Sequence, residues 1–144
     1  MQADRELTSA RALAQATATE LRGAIRAARW IGPTAGLARG FVQANLVILP
    51  AAVAADFAEF CRLNARACPL LEQTRPGDPV PRAAAPGADL RTDVPRYRIF
   101  RDGRPEAVEP TDIRELWRDD LVSFLLGCSF TFENALEKAG LGVR

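Results

Sequence analysis

The chain contains no histidine, and that absence excludes more chemistry than any single motif in it admits. Without an imidazole it cannot assemble a Ser–His or Cys–His pair from its own residues, and it lacks a frequent metal ligand. Cysteine is sparse. Cys61, Cys68 and Cys128 are odd in number and show no Cys-x-x-Cys spacing, so free thiols are expected, with no metal site and no cofactor. An excess of one charge is also missing: 19 basic residues face 18 acidic ones, for a net charge of +1. No global field then favours nucleic acid or an anionic membrane. The longest apolar runs, Leu46–Ala55 and Leu121–Cys128, are too short or too interrupted to span a bilayer. The first residues, Met1-Gln-Ala-Asp-Arg-Glu6, lack the apolar core of a signal peptide. Together these features predict a reducing, cytoplasmic setting.

What is present suits an ordinary globular domain. The chain has 144 residues, 48% of them hydrophobic and 26% charged, which favours one domain spanning 1–144. Leu7, Ala10, Leu13, Ala14, Ala18, Leu21, Ile25 and Ala28 recur at helical steps and predict a first helix over 4–30, stopped by Pro33 and Gly36. Arg22, Arg26 and Arg29 share a flank, read as a solvated face or an anion-binding one. The glycine-rich 32–40 segment reads as a connector, since no Gly-Lys-Ser/Thr follows it. Phe41–Leu49 reads as a buried strand ended by Pro50. Gln43 and Asn45 then point to the same side, where they either pair with a loop or orient a polar ligand. A helix over 51–64 follows, with Val53, Phe57, Phe60 and Cys61 inward, then a short strand at Cys68–Glu72. Residues 74–92 form an irregular loop rich in proline, glycine and alanine, whose middle, Arg82–Ala88, looks disposable. Arg96–Arg101, the turn Asp102-Gly103 and Glu106–Glu109 read as a hairpin.

The densest mix of apolar and reactive groups lies between Asp112 and Gly140. Ile113, Leu116, Trp117, Leu121, Phe124 and Leu125 fit a helix over 112–126 capped by Thr111, with a strand at 121–126 as the alternative. Gly127 then fits a left-handed C-terminal position. Ser129 fits the N-cap of a last helix over 130–139, with Glu133 in its first turn.

Several blocks in this order resemble the D-glutamate cyclase-like hydro-lyase family. They are Phe41-Val-Gln-Ala-Asn-Leu-Val-Ile-Leu-Pro50, Cys68-Pro-Leu-Leu-Glu72, Pro76-Gly-Asp-Pro79, Arg91-Thr-Asp-Val-Pro-Arg-Tyr-Arg98 and Trp117-Arg-Asp-Asp-Leu-Val-Ser-Phe-Leu-Leu-Gly-Cys-Ser-Phe-Thr-Phe-Glu133, with Thr34-Ala-Gly36 upstream. The resemblance implies an α/β protein with α+β character: a layered domain with a smaller α+β portion, incomplete here because family members continue past Arg144. It implies hydro-lyase chemistry on a small carboxylate or amino acid, in one branch the conversion of D-glutamate to 5-oxo-D-proline and water.

That chemistry sets the candidate residues. Substrate carboxylates suit bidentate arginines, for which Arg91, Arg96 and Arg98 are candidates beside Gln43 and Asn45. Proton delivery to a leaving oxygen suits an acid of raised pKa, for which Glu133, Asp93 and Asp120 are candidates. Cys128 is a candidate covalent nucleophile and Ser129 a donor to a developing oxyanion. The expected partner is a small-molecule carboxylate, with a homo-oligomer also compatible. The rival readings are a non-catalytic fragment or interaction module, and a cysteine-dependent amide hydrolase.

Overall fold

A computed structural model describes residues 8–129, 136 and 138–141. The chain separates into two compact units: Met1–Arg39 with Asp89–Trp117, and Gly40–Ala88 with Arg118–Arg144. Helices combine with antiparallel sheets, the α+β character expected from the sequence. No helix among the described residues is long and apolar enough to cross a membrane.

In the first unit the single long helix expected over 4–30 is two helices, α1 (Ala10–Ala14) and α2 (Ala18–Arg26). The break is made by a capping box. The Thr17 side chain accepts from the Glu20 N–H, while the Glu20 carboxylate accepts from the Thr17 N–H at 2.7 Å. This reciprocal pair satisfies donors at a new helix start, and it outweighs the alanine periodicity that runs through the break. Leu13, Leu21, Ala24 and Ile25 are buried together with Leu37 and Ala38. The 32–40 segment is the expected connector. It is tied down where the Ala38 and Arg39 N–H groups donate to the Leu13 and Ala14 carbonyls. Farther along, β3 (Phe100–Arg101) and β4 (Arg104–Pro105) form the expected hairpin, shorter than its alternation suggested. Asp102 and Gly103 both have positive φ, 51° and 74°, which the tight turn requires.

The second unit is organised by β5 (Leu121–Gly127), the central strand of a three-stranded sheet. β1 (Ala44–Pro50) pairs with it antiparallel along its whole length, and β2 (Leu70–Gln73) pairs on the other side with an irregularity between Leu70 and Glu72. This corrects the expected helix over 112–126: the alternative strand is the one formed. Only Arg114–Leu116 is helical, as a single 3-10 turn, and Asp112 rather than Thr111 accepts its leading N–H. The physical reason is burial on both faces. Val122, Ser123, Phe124 and Leu125 are consecutive and all buried. Such a run reads as continuously apolar, so helical spacing within it is accidental.

Gly127 ends β5 and does not take up the left-handed conformation expected of it. Its lack of a Cβ serves a close approach instead. A Cβ there would sit 3.1 Å from the Pro69 ring, and its N–H donates to the Pro69 carbonyl at 2.9 Å. The strand expected to be buried at 41–49 is an edge strand with no buried residue, and Phe41 and Val42 are exposed. Helix α3 (Ala51–Leu63) lies where expected, but its inward stripe is shifted. Ala54 and Cys61 are buried and Phe57 packs on the core, whereas Val53 and Phe60 are about half exposed. The Phe57 ring meets Phe124 edge-on at 4.9 Å, a contact that fixes how the helix lies on the sheet.

At the C-terminus of α2 the chain closes a Schellman motif. Arg29 N–H donates to the Ala24 carbonyl and Ala28 N–H to the Ile25 carbonyl, with Ala28 at φ 53°. Glycine is the residue that adopts this conformation without a Cβ penalty. We therefore expect Ala28→Gly to raise the unfolding free energy by about 0.5–1 kcal/mol. Urea denaturation checks it; a lowered midpoint contradicts it.

Candidate functional site

The best-formed polar pocket in the first unit is built from a repeated local motif. Asp89-Leu-Arg91 and Asp112-Ile-Arg114 share the pattern Asp-apolar-Arg. In each, the aspartate accepts from the backbone N–H of the arginine two residues on, at 3.0 and 2.9 Å. It also accepts from that arginine's guanidinium through both carboxylate oxygens. The apolar middle residues, Leu90 and Ile113, are buried. The two turns are joined where the Ile113 N–H donates to the Arg91 carbonyl at 3.0 Å. Burying the middle residue turns the flanking charged pair the other way, which is why both pairs reach one cavity.

That cavity has a volume of about 300 Å³. Its walls include Asp89, Arg91, Asp112 and Arg114, with Arg26 from α2 and the hydroxyl residues Thr92 and Thr111. Beneath it lies Asp93, whose side chain is 1% exposed. Arg26 grips Asp93 in a bidentate pair at 2.8 and 2.6 Å, Thr92 donates at 3.0 Å and the Asp89 N–H at 3.1 Å. Arg22 stands 3.9 Å away. The Arg91 guanidinium holds the Asp89 carboxyl below its usual range, and Arg114 does the same for Asp112. Tyr97 is buried nearby in sequence, its hydroxyl donating to the Leu90 carbonyl at 2.7 Å, and burial pushes its pKa up.

Of the candidate arginines, Arg91 lines this cavity. Arg98 is exposed and paired with Glu109 at 2.7 Å, and Arg96 is exposed. Asp93 belongs to the same unit as a fully engaged carboxylate. The other candidates fall in the second unit. Cys128 is half-buried, its thiol donating to the Gln43 main-chain carbonyl at 3.5 Å. Gln43 precedes β1, and Asn45 is exposed on it. Ser129 is an exposed turn residue. Asp120 is exposed and paired with Arg118, which holds its pKa down, the opposite direction from that wanted in a proton donor. Glu133 and most of the last helix expected over 130–139 lie outside the described residues. Among the described residues no group of three or more Cys, Asp or Glu side chains could hold a metal ion.

Arg26 comes from the arginine flank that the sequence offered as a solvated or an anion-binding face. Arg114, Asp89 and Asp112 were not singled out, although the doubled Asp-apolar-Arg pattern was their signal. Nor was the part played by Glu72. The 82–88 segment, expected to be disposable, is pinned by that residue: the N–H groups of Arg82, Ala83 and Ala84 all donate to the Glu72 carboxylate, at 2.6–3.2 Å. Ala88 is buried. Three successive N–H groups around a carboxylate form an anion nest.

No family model matches the chain. Three bacterial proteins, each named "Putative hydro-lyase", are similar to it. The one from Rubrobacter xylanophilus is 62% identical over 124 residues, covering 86% of this chain and 48% of that protein. The one from Bordetella petrii is 57% identical over 128 residues, covering 89% and 48%. The one from Bacillus licheniformis is 54% identical over 125 residues, covering 87% and 47%. The chain is homologous to these hydro-lyase-named proteins. It spans about half the length of the curated relatives it matches.

The Glu72 nest gives a pH test. Burial acts to raise the Glu72 pKa, but the N–H groups of Ala84, Ala83 and Arg82 and the Arg82 charge together bring it below its ordinary 4.5. A carboxyl whose folded pKa is depressed contributes stability above its unfolded pKa and loses it as pH falls through the folded value. Wild type should therefore lose stability below about pH 4.5. Glu72→Gln should be less stable at neutral pH and show a shallower acid limb. Equal acid limbs in urea titrations at several pH values would contradict the nest.

Proposed function

We propose that the chain is part of a hydro-lyase that acts on a small carboxylate or amino acid, with D-glutamate to 5-oxo-D-proline and water as the reaction to test first. The observation that carries the hydro-lyase part of the reading is 53–62% identity, over most of this chain, to proteins named "Putative hydro-lyase". In the D-glutamate reaction the substrate's own amine attacks its γ-carboxyl carbon. A C–N bond forms, one carboxyl C–O bond breaks, and the oxygen leaves as water with one proton from the amine and one delivered by an acid, which regains it from the substrate's ammonium group as the amine is made neutral. The amine must first be neutral, and the carboxyl charge must be offset.

Arg91 supports the second requirement, since it lines a cavity of suitable size beside Asp89. Arg96, Arg98, Gln43 and Asn45 remain proposals for further substrate contacts, and Asp93, Asp120 and Glu133 for proton handling. Cys128 is proposed as a covalent nucleophile and Ser129 as a donor to the developing oxyanion. The Cys128 sulfur would first have to exchange its contact with the Gln43 carbonyl for the substrate.

The test incubates this chain, and separately the longer Rubrobacter xylanophilus relative, with D-glutamate and with hydroxy acids, and reads 5-oxoproline or an unsaturated product. Product from the relative is expected. No product from the relative on any of these substrates sinks the reading. Cys128→Ala, made in this chain if it turns over and at the aligned position of the relative otherwise, should cost at least about a hundredfold in kcat if the thiol is covalent. Unchanged kcat removes the covalent route and the amide-hydrolase alternative together.

A further inference from the structure

The cavity in the first unit has a surplus of hydrogen-bond donors that its own residues do not use. A guanidinium carries five N–H donors. Arg26 directs two of them at Asp93, Arg91 two at Asp89, and Arg114 two at Asp112. Most donors of each guanidinium are therefore left over. The acceptors are in the opposite state. Asp93 is buried and engaged on both oxygens, and Asp89 and Asp112 each accept a backbone N–H besides their arginine. Three guanidiniums line the cavity against two carboxylates, because the third counter-ion, Asp93, lies beneath. Asp93 balances the third guanidinium from there, so the charges are even, but the cavity is short of acceptors, and its aspartates hold the arginine planes still. That arrangement fits an oxyanion with planar, paired oxygens.

We propose that this cavity binds a small organic carboxylate, with Arg91 and Arg114 donating to its oxygens and Arg26 at the rim. The choice of organic carboxylate over other oxyanions rests on the hydro-lyase reading; the donor surplus does not. Thr111 offers a hydroxyl from the wall to a second polar group of the ligand. The side chains of Arg91 and Arg114 are 31% and 63% exposed, so a ligand reaches their free edges without opening the fold.

The experiment is calorimetric titration of the chain with D-glutamate, L-glutamate, succinate and inorganic phosphate, repeated with Arg114→Gln and with Arg101→Gln as the control outside the cavity. Arg114 is well exposed in a short 3-10 turn, so its replacement should leave the fold intact, checked by circular dichroism and the urea midpoint. If Arg114→Gln does not fold, Thr111→Val replaces it as the cavity variant. Saturable binding of at least one organic carboxylate is expected, weakened about tenfold or more by Arg114→Gln and unchanged by Arg101→Gln. No saturable binding by any organic carboxylate at millimolar concentration overturns the proposal. So does equal loss in both variants, or phosphate binding more tightly than every carboxylate. Because binding is read without turnover, the two readings fail separately. Carboxylate binding by the chain with no product from the longer relative keeps this site and sinks the hydro-lyase reading; turnover unaffected by Arg114→Gln does the reverse.

Discussion

Asp93 is a carboxylate taken almost wholly out of water, and the first unit is arranged to make that tolerable. An ionised carboxyl in such a place is unfavourable unless its oxygens are fully engaged. Arg26 engages both oxygens from α2, and Thr92 and the Asp89 N–H complete the shell. The pair joins residues 67 apart in sequence, so it sets the position of the 89–93 turn against the helix. Everything that lines the cavity then follows. Asp89 and Arg91 stand on that turn, and the Arg91 carbonyl receives the Ile113 N–H that brings in Asp112 and Arg114.

The second unit solves a different problem, that of covering an apolar strand. β5 is hydrogen-bonded on both sides and buried at four consecutive residues. Fully burying Phe124 is worth about 1.5–3 kcal/mol, and Ala54, Phe57 and Val47 provide the apolar surroundings. The Pro-rich loop is held by polar groups instead. Thr74 extends the sheet by exchanging hydrogen bonds with the Ser123 main chain, and Glu72 gathers the N–H groups of residues 82–84. Asp78 accepts from the Val80 N–H and from Arg82, so a loop with no regular structure is fixed by two carboxylates and a threonine.

Local grammar was legible where one short signal decided the outcome. Pro50 opening α3, the Asp102-Gly103 hairpin and the irregular stretch after Gln73 could all be read from the residues. Legibility failed where two local signals competed or where tertiary pairing decided. The alanine stripe hid the Thr17–Glu20 capping box, and helical spacing hid β5, whose identity depends on β1 and β2 lying to either side. Of the candidate site, Arg91 was readable as a candidate for a carboxylate and Arg26 as part of a possible anion-binding flank. Arg114, and the meeting of the three, were not, because a fold has to bring residues 26, 91 and 114 to one place. The pairing of Asp93 with Arg26 was not readable, because the two lie 67 residues apart. Gln43 and Asn45 seemed paired on one buried face only while β1 was taken to begin before Gln43.

The account stands on the Arg26–Asp93 pair, and a double-mutant cycle measures it most directly. Urea unfolding of wild type, Arg26→Gln, Asp93→Asn and the double variant gives the coupling free energy between the two side chains. A pair with one partner buried and gripped through both oxygens should couple by about 2 kcal/mol or more. A coupling below about 0.5 kcal/mol, the range of an exposed ion pair, would contradict the claim that this contact positions the turn and the cavity above it.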